Sequence, residues 1–325
     1  MGTLAERFEE QRSRMLSVAY RITGSISDAE DADQESWLRL DATDSDSIDD
    51  LGAWLTTVVG RICLDRLKSA AVAREKHMGQ WLPEPVVTQV VPSPEYDDPL
   101  RAVIAAEDSR YAAMVLFETL TPAMRVAFVL HDGFGVPFAD IADILGSSTP
   151  SARQLASRAR RIVSDLPAPV SDTEQAEAVG RLVAAMAAGD LDAVLAALDP
   201  DAMVVGDANR TTPTAVKAIR GAAGVARFLF WLLRRYGPDA LDLQIPVRVN
   251  GELGTYSVGW EAEGDRRASP ARVVCFVVRD GLVVSIYDIA DPAKLSAIDA
   301  AQLVPVSEAA PSTAQGTRHE SVENP

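Results

Sequence analysis

The chain is poor in cysteine, histidine, aromatic residues and positive charge. Its two cysteines among 325 residues, Cys63 and Cys275, lie far apart, each within an apolar pattern. They read as small buried hydrophobes in a reducing compartment rather than as a disulfide. Three histidines, His77, His131 and His319, are scattered. There is no cluster with metal-ligand spacing, no Ser-His-Asp set and no phosphate loop, so neither a metal nor a cofactor is expected. No run of about 18 apolar residues occurs, which excludes an expected membrane span. Met-Gly-Thr-Leu-Ala-Glu-Arg at the start lacks the basic and apolar parts of a secretion signal, so a cytoplasmic location is expected. The net charge of −16 argues against a protein that coats nucleic acid by itself.

What is present is most specific at residues 137–163. Phe138, Ile141, Ala142 and Leu145 form one apolar helical stripe, and Gly146 stops that helix. Thr149-Pro150 reads as an N-cap followed by proline at the first helical position. A second stripe follows at Ala152, Leu155, Ala156, Ala159 and Ile162, with Arg153, Gln154, Ser157, Arg158, Arg160 and Arg161 on the other face. Two short helices, a glycine turn and an arginine face fit a helix-turn-helix entering a major groove. A helical hairpin with a solvated basic face is the plainer alternative.

With 47% hydrophobic residues and this length, two or three packed domains are expected. Residues 1–77 read as all-helical: Leu4 to Ile22, a helix Asp28 to Leu40 capped by Ser27, and a long helix from Leu51 to Lys76. Residues 25–50 are dense in acids against one base, Arg39. Residues 78–106, with Pro83, Pro85, Pro92, Pro94 and Pro99, read as an extended linker outside any core. Residues 107–166 are again helical, with helices resuming near Leu100. Residues 170–298 change character, with helices at Glu174–Ala188, Asp190–Leu198 and Ala222–Tyr236. Strands are expected at 202–206, 244–249, 254–261, 271–279 and 282–289, and Asp280-Gly281 signals a hairpin. This predicts an α+β domain on a curved antiparallel sheet. Residues 299–325 read as a disordered tail.

Tyr20-Arg-Ile-Thr-Gly24, Asp28-Ala-Glu-Asp-Ala-Asp-Gln-Glu-Ser-Trp-Leu-Arg-Leu40 and Ala53-Trp-Leu-Thr-Thr-Val-Val-Gly-Arg-Ile-Cys-Leu-Asp-Arg-Leu-Lys68 resemble region 2 of the extracytoplasmic-function (ECF) sigma factors of bacteria. Residues 107–165, including Leu120-Thr-Pro-Ala-Met-Arg-Val-Ala-Phe-Val-Leu130, resemble region 4 of that family. The resemblance implies core RNA polymerase and promoter DNA as partners and no membrane partner. It implies that Asp31, Gln34, Glu35 and Trp37 dock on polymerase. Arg61, Asp65, Arg66 and Lys68 would lie nearest the −10 strand. Ser151, Arg153, Gln154, Ser157 and Arg158 would meet the −35 element, with Arg160 and Arg161 neutralising phosphate. Each role has a structural rival: Trp54 lies on a buried stripe, Trp37 fits core or docking, and the acids could be a solubilising face.

The order of helices and strands over 174–296 resembles the SnoaL-like branch of the nuclear-transport-factor-2-like fold, a cone around a pocket. ECF factors with this extension form a subgroup whose linker motif is met here by Trp81-Leu-Pro-Glu-Pro85. Gly206-Asp-Ala-Asn-Arg210 stands where the subgroup has a glycine-rich Asp-to-Lys motif and keeps Asp207. Asp291-Pro-Ala-Lys-Leu295 keeps Pro292, Lys294 and Leu295 of an Asn-Pro-Asp-Lys-Leu motif. The resemblance implies a fused regulator acting on the linker. Asp207, Tyr256, Trp260, Tyr287 and Asp288 are candidate polar pocket groups for an unknown small ligand. Catalysis is not expected, although an acid pair can move protons. A stand-alone ligand-sensing DNA-binding regulator is the alternative function.

Overall fold

The computed structural model describes residues 3–44, 47–74, 80–90, 110–262, 264, 267–300 and 303. The expected start near Leu100, the proline-rich stretch beyond residue 90 and most of the tail lie outside them.

Three helices open the chain: α1 (Leu4–Thr23), α2 (Ile26–Asp41) and α3 (Leu51–Arg74). Thr3 and Glu6 form a reciprocal capping box at the start of α1, and Gly24 ends it at φ 73°. Only Gly24 and Ser25 separate α1 from α2. The extended residue Ser25 therefore takes the N-cap, its hydroxyl accepting from the Asp28 N–H, and Ser27 falls inside the first turn instead of capping it. After residue 110 come α4 (Tyr111–Phe117), α5 (Pro122–Phe128), a π turn (Val129–Gly133), α6 (Phe138–Leu145) and α7 (Thr149–Val163). Ser148, not Thr149, caps α7, because Gly146 in the left-handed conformation (φ 60°) leaves Ser148 as the last extended residue. Pro150 thus sits one position later than expected. Ile162, expected to continue the buried stripe, is exposed. One continuous apolar core runs through both helical groups, from Phe8 to Ala159.

The C-terminal part contains α8 (Asp172–Ala188), α9 (Leu191–Ala197), β2 (Leu198–Asp207), β3 (Ile219–Arg220), α10 (Ala222–Tyr236), β4 (Ile245–Val249), β5 (Glu252–Ser257), β6 (Arg272–Arg279), β7 (Leu282–Ile289) and α11 (Pro292–Leu295). β1 (Val87–Gln89) comes from the linker, and the seven strands run β1-β4-β5-β6-β7-β2-β3. The sheet is mixed rather than antiparallel: β2, which follows α9 directly, lies parallel to β7. The strand expected to reach residue 261 stops at Ser257, since Gly259 turns the chain at φ 77°. Asp280-Gly281 and Asn250-Gly251 both hold positive φ at two successive residues, as tight hairpins with a right-handed twist require.

The described part of the linker, residues 80–90, is not outside the core. β1 pairs with β4 in register Val87 to Val249, covering what would be an open edge. Pro83 and Pro85 lie just ahead of the strand, where no ladder N–H is needed. Val86 joins the helical core, while Leu82 and Val87 join the core on one face of the sheet. Helices α8, α9 and α10 cover the other face.

Candidate functional site

Residues 81–89 are held from three directions. From the C-terminal part, Asp207 Oδ2 accepts the Leu82 N–H at 2.9 Å and the Lys294 ammonium at 2.5 Å. Lys294 also donates to the Leu82 carbonyl, and its Nζ lies 3.5 Å from the centre of the Trp81 ring. Burial lowers the Lys294 pKa, and the Asp207 charge opposes that shift. At the β4–β5 turn, Asn250 accepts the Val86 N–H on Oδ1 at 3.0 Å and returns its own N–H to the Val86 carbonyl at 2.8 Å.

From the first helical group, the Tyr20 hydroxyl donates to the Glu84 carbonyl at 2.8 Å and accepts from Asn250 Nδ2 at 2.9 Å. The Glu84 N–H donates to the Gly24 carbonyl, and its carboxylate accepts the Ile26 N–H at the positive end of α2. From the second group, the Tyr111 hydroxyl donates to the Pro83 carbonyl at 2.7 Å. Burial raises the pKa values of Tyr20 and Tyr111 and keeps them as hydroxyl donors. Trp81, Leu82, Pro83, Glu84, Pro85, Asp207 and Lys294 thus meet in one place. Pro292 opens α11, and Leu295 is buried in the adjoining core. Tyr20, Tyr111 and Asn250 escaped sequence reasoning as linker contacts. Asn-Gly at 250–251 was the available hint.

On the helical side, Asp31 and Gln34 are exposed and Glu35 half-exposed. Trp37 is half-buried, packed edge-on against Phe8 at 5.0 Å, so part of its ring serves the core. Arg61, Asp65 and Lys68 are exposed, with Lys68 3.4 Å from Asp65. Arg66 does not stand free. It bridges α3 to α2 through Asp28 and Asp31, each at 3.1 Å, and Glu35 at 3.8 Å. On α7, Arg153, Gln154, Arg158 and Arg161 are exposed, and Ser151 and Ser157 half-buried. Arg160, expected at phosphate, is paired with Asp132 at 2.6 Å because the π turn brings that acid alongside.

The two helical groups pack directly. A Cβ at Gly60 in α3 would lie 3.2 Å from Leu130 and 3.3 Å from Ile144 of α6. Arg125, fully buried, donates to the Arg21 carbonyl and to Glu118.

Residues 8–72 match the family model Sigma-70 region 2, and residues 111–163 match Sigma-70, region 4. The ECF RNA polymerase sigma factor SigJ of Mycobacterium tuberculosis is 51% identical over 292 residues, 89% of this chain and 92% of that protein. The chain belongs to the ECF RNA polymerase sigma factors. The crystal structure of SigJ aligns with this sigma factor at a TM-score of 0.76 and 50% identity, over 90% of this chain and 98% of that one. A probable ECF sigma factor SigI of the same species is 38% identical over 156 residues, 47% of this chain and 52% of that protein. Likeness to SigJ therefore includes the C-terminal sheet, whereas likeness to SigI covers about half the chain.

The sigma factor's C-terminal domain holds a cavity of about 430 Å³ on the helix-covered face of the sheet. Of the five polar groups expected in a pocket, Trp260 and Asp288 line it. Tyr256 and Tyr287 belong to the core on the linker side, and Asp207 reaches the linker itself. The cause is strand alternation: neighbours such as Tyr287 and Asp288 point to opposite faces. Among the described residues, no helix is long and apolar enough to cross a membrane and no group of acids, cysteines and histidines could hold a metal ion.

Proposed function

We propose that this sigma factor directs RNA polymerase to promoters under control of its own C-terminal domain, which grips residues 81–89 and keeps regions 2 and 4 in a closed packing. The observation that carries this is the convergence of Asp207, Lys294, Asn250, Tyr20 and Tyr111 on one short segment. In the open form, Asp31, Gln34, Glu35 and the exposed edge of Trp37 dock on polymerase. Arg61, Asp65 and Lys68 face the −10 strand, and Arg66 joins them after leaving Asp28, Asp31 and Glu35. Arg153 and Gln154, with Ser151, Ser157 and Arg158, read base edges at −35, where arginine suits guanine and glutamine suits adenine. Arg160 and Arg161 meet phosphate, Arg160 after leaving Asp132.

Geometry supports the closed reading. Elements named −10 and −35 lie about 25 base pairs apart, or roughly 85 Å of duplex. The 24 residues of α3 span about 36 Å. The helix-turn-helix touches the middle of α3 at Gly60, so both elements cannot be read together until regions 2 and 4 separate. An acidic chain holds DNA weakly alone, and polymerase supplies the remaining affinity.

Reconstitution with core polymerase, followed by selection of promoters from genomic DNA, tests the reading. Transcripts that begin downstream of a shared two-part element are expected. A chain that does not associate with core polymerase, or associates and starts no transcripts, refutes it.

A further inference from the structure

The cavity has an apolar wall that includes Leu182, Met186, Val204, Leu229, Phe276 and Ile286. Its volume of about 430 Å³ lies in the range that encloses small organic molecules. One end is polar. Asp288 Oδ2 accepts from Arg272 at 2.5 Å and from the Thr214 hydroxyl at 2.7 Å. Asp288 Oδ1 is buried with no hydrogen-bond partner, on a side chain only 6% exposed. A buried acceptor without a donor costs free energy and calls for an explanation.

The nitrogen donors of Arg272, Trp260 and Gln175 around the cavity are already engaged. Arg272 serves Asp288, the Pro213 carbonyl and the Tyr236 hydroxyl. Trp260 Nε1 donates to the Arg267 carbonyl, and Gln175 Nε2 to two strand carbonyls. The unmet group at the polar end is an acceptor on a carboxylate whose charge Arg272 already balances, so it calls for a donor without a second positive charge and repels an anion.

We propose that this cavity binds an uncharged, largely apolar molecule carrying one hydroxyl, whose O–H donates to the Asp288 carboxylate once that side chain turns its unmet Oδ1 into the cavity. Resting on the linker reading above, occupancy reaches the linker through Thr214. That side chain bonds Asp288 and lies against Gly206, where an added Cβ would meet its Oγ1 at 1.8 Å. Gly206 also donates to the Ala215 carbonyl and directly precedes Asp207, which holds Leu82. A shift at Asp288 thus moves the strand end that grips the linker.

The test titrates the full chain calorimetrically with 4-hydroxybiphenyl, 4-methoxybiphenyl and biphenyl-4-carboxylate. The phenol is expected to bind about tenfold or more tightly than the ether, the margin of a hydrogen bond to a charged acceptor, and the carboxylate more weakly than either. Asp288→Asn should lower phenol affinity about tenfold. Leu232→Trp, which fills the cavity from the α10 wall and leaves the Asp288 carboxylate chemically unchanged, should abolish binding in a chain that still folds. Equal affinity for phenol and ether, or binding retained by Leu232→Trp, overturns the site. Transcription with core polymerase separates the two layers. If Lys294→Met alters output but saturating phenol does not, the coupling to the linker is refuted and the linker reading stands. If the phenol binds as expected and Lys294→Met changes nothing, the linker reading fails and the site stands.

Discussion

Replacing Lys294 with methionine removes one charge from the linker grip while keeping most of the side-chain volume. In the native arrangement the Lys294 and Asp207 side chains are 7% and 0% exposed. Methionine leaves Asp207 as a buried carboxylate without its cation and also removes the charge from the Trp81 ring. Breaking a buried ion pair from one side costs about 3–5 kcal/mol. The cation–ring contact is part of the same loss rather than an addition to it, because one ammonium makes both. At 1.4 kcal/mol per decade, opening of the linker should become roughly a hundredfold to a few thousandfold more frequent. Hydrogen exchange measures this directly. Pro83 and Pro85 carry no amide, so peptide 80–90 reports on few sites, among them Leu82 bonded to Asp207, Glu84 bonded to Gly24 and Val86 bonded to Asn250. Exchange in that peptide should accelerate by the same factor, while peptides in β6 and β7 keep their protection. Transcription from a cognate promoter should rise. Linker exchange within about threefold of the wild type would refute the reasoning, since the loss of a buried ion pair cannot hide inside that margin.

Four further outcomes are expected. Gly60→Val forces side-chain atoms into Leu130 and Ile144, an overpacking worth about 1–3 kcal/mol; it should part regions 2 and 4 and raise transcription with helical circular dichroism unchanged, and unchanged output would show that this packing is not the gate. Arg153→Ala should cost about 1–3 kcal/mol of discrimination at one −35 position. Arg161→Ala should weaken all sequences alike and reduce the salt slope by about one, and binding assays on promoter variants with polymerase distinguish the two. Burial raises the Asp33 pKa, with the Arg12 charge opposing. Its protonated form therefore favours the fold, a contribution complete below the ordinary aspartate value and lost as pH rises through the shifted one. Asp33→Asn should accordingly gain stability relative to wild type as pH rises above the ordinary aspartate range in urea melts, and the opposite trend would refute the sign.

Helices were legible because their signals are local. The stripe Phe138–Leu145 and the stop at Gly146 need only neighbouring residues, and errors at Ser25 and Ser148 are shifts of one or two positions among competing cap residues. The direction of β2 was not legible. Ala202–Gly206 reads as a strand whichever neighbour it meets, and its parallel pairing with β7 depends on residues more than eighty positions away. The linker was misread for the same reason. Its prolines say that no helix forms, and nothing local says that β4 lacks an edge partner. Family motifs pointed to Trp81–Pro85, Asp207 and Lys294, but Tyr20 meets Asn250 across 230 positions. Strand alternation was the unused clue at the pocket, since Tyr287 and Asp288 cannot face the same side.

The strength of the linker grip is bounded from both sides. To keep the sigma factor closed in the cell, the closed form must be favoured by a few kcal/mol. To be usable at all, polymerase and promoter together must reverse that preference, and moving a two-state equilibrium from 1:99 to 99:1 takes about 5.5 kcal/mol of differential binding. A grip made of many independent buried ion pairs would exceed what binding can reverse. Among the described linker contacts no ion pair crosses the grip. Lys294 and Asp207 both belong to the C-terminal part and meet the linker at the Leu82 backbone and the Trp81 ring. The other contacts are hydrogen bonds and the burial of Leu82, Val86 and Val87. Backbone hydrogen bonds contribute about 0.5–1.5 kcal/mol each and are replaced by water on opening. The Asp207–Lys294 pair acts by presenting one acceptor and one donor to Leu82, and a shift of Asp207 weakens both of those contacts together. On the proposed reading, control at this site needs no large domain movement at its origin, only a change in where the end of β2 holds one carboxylate.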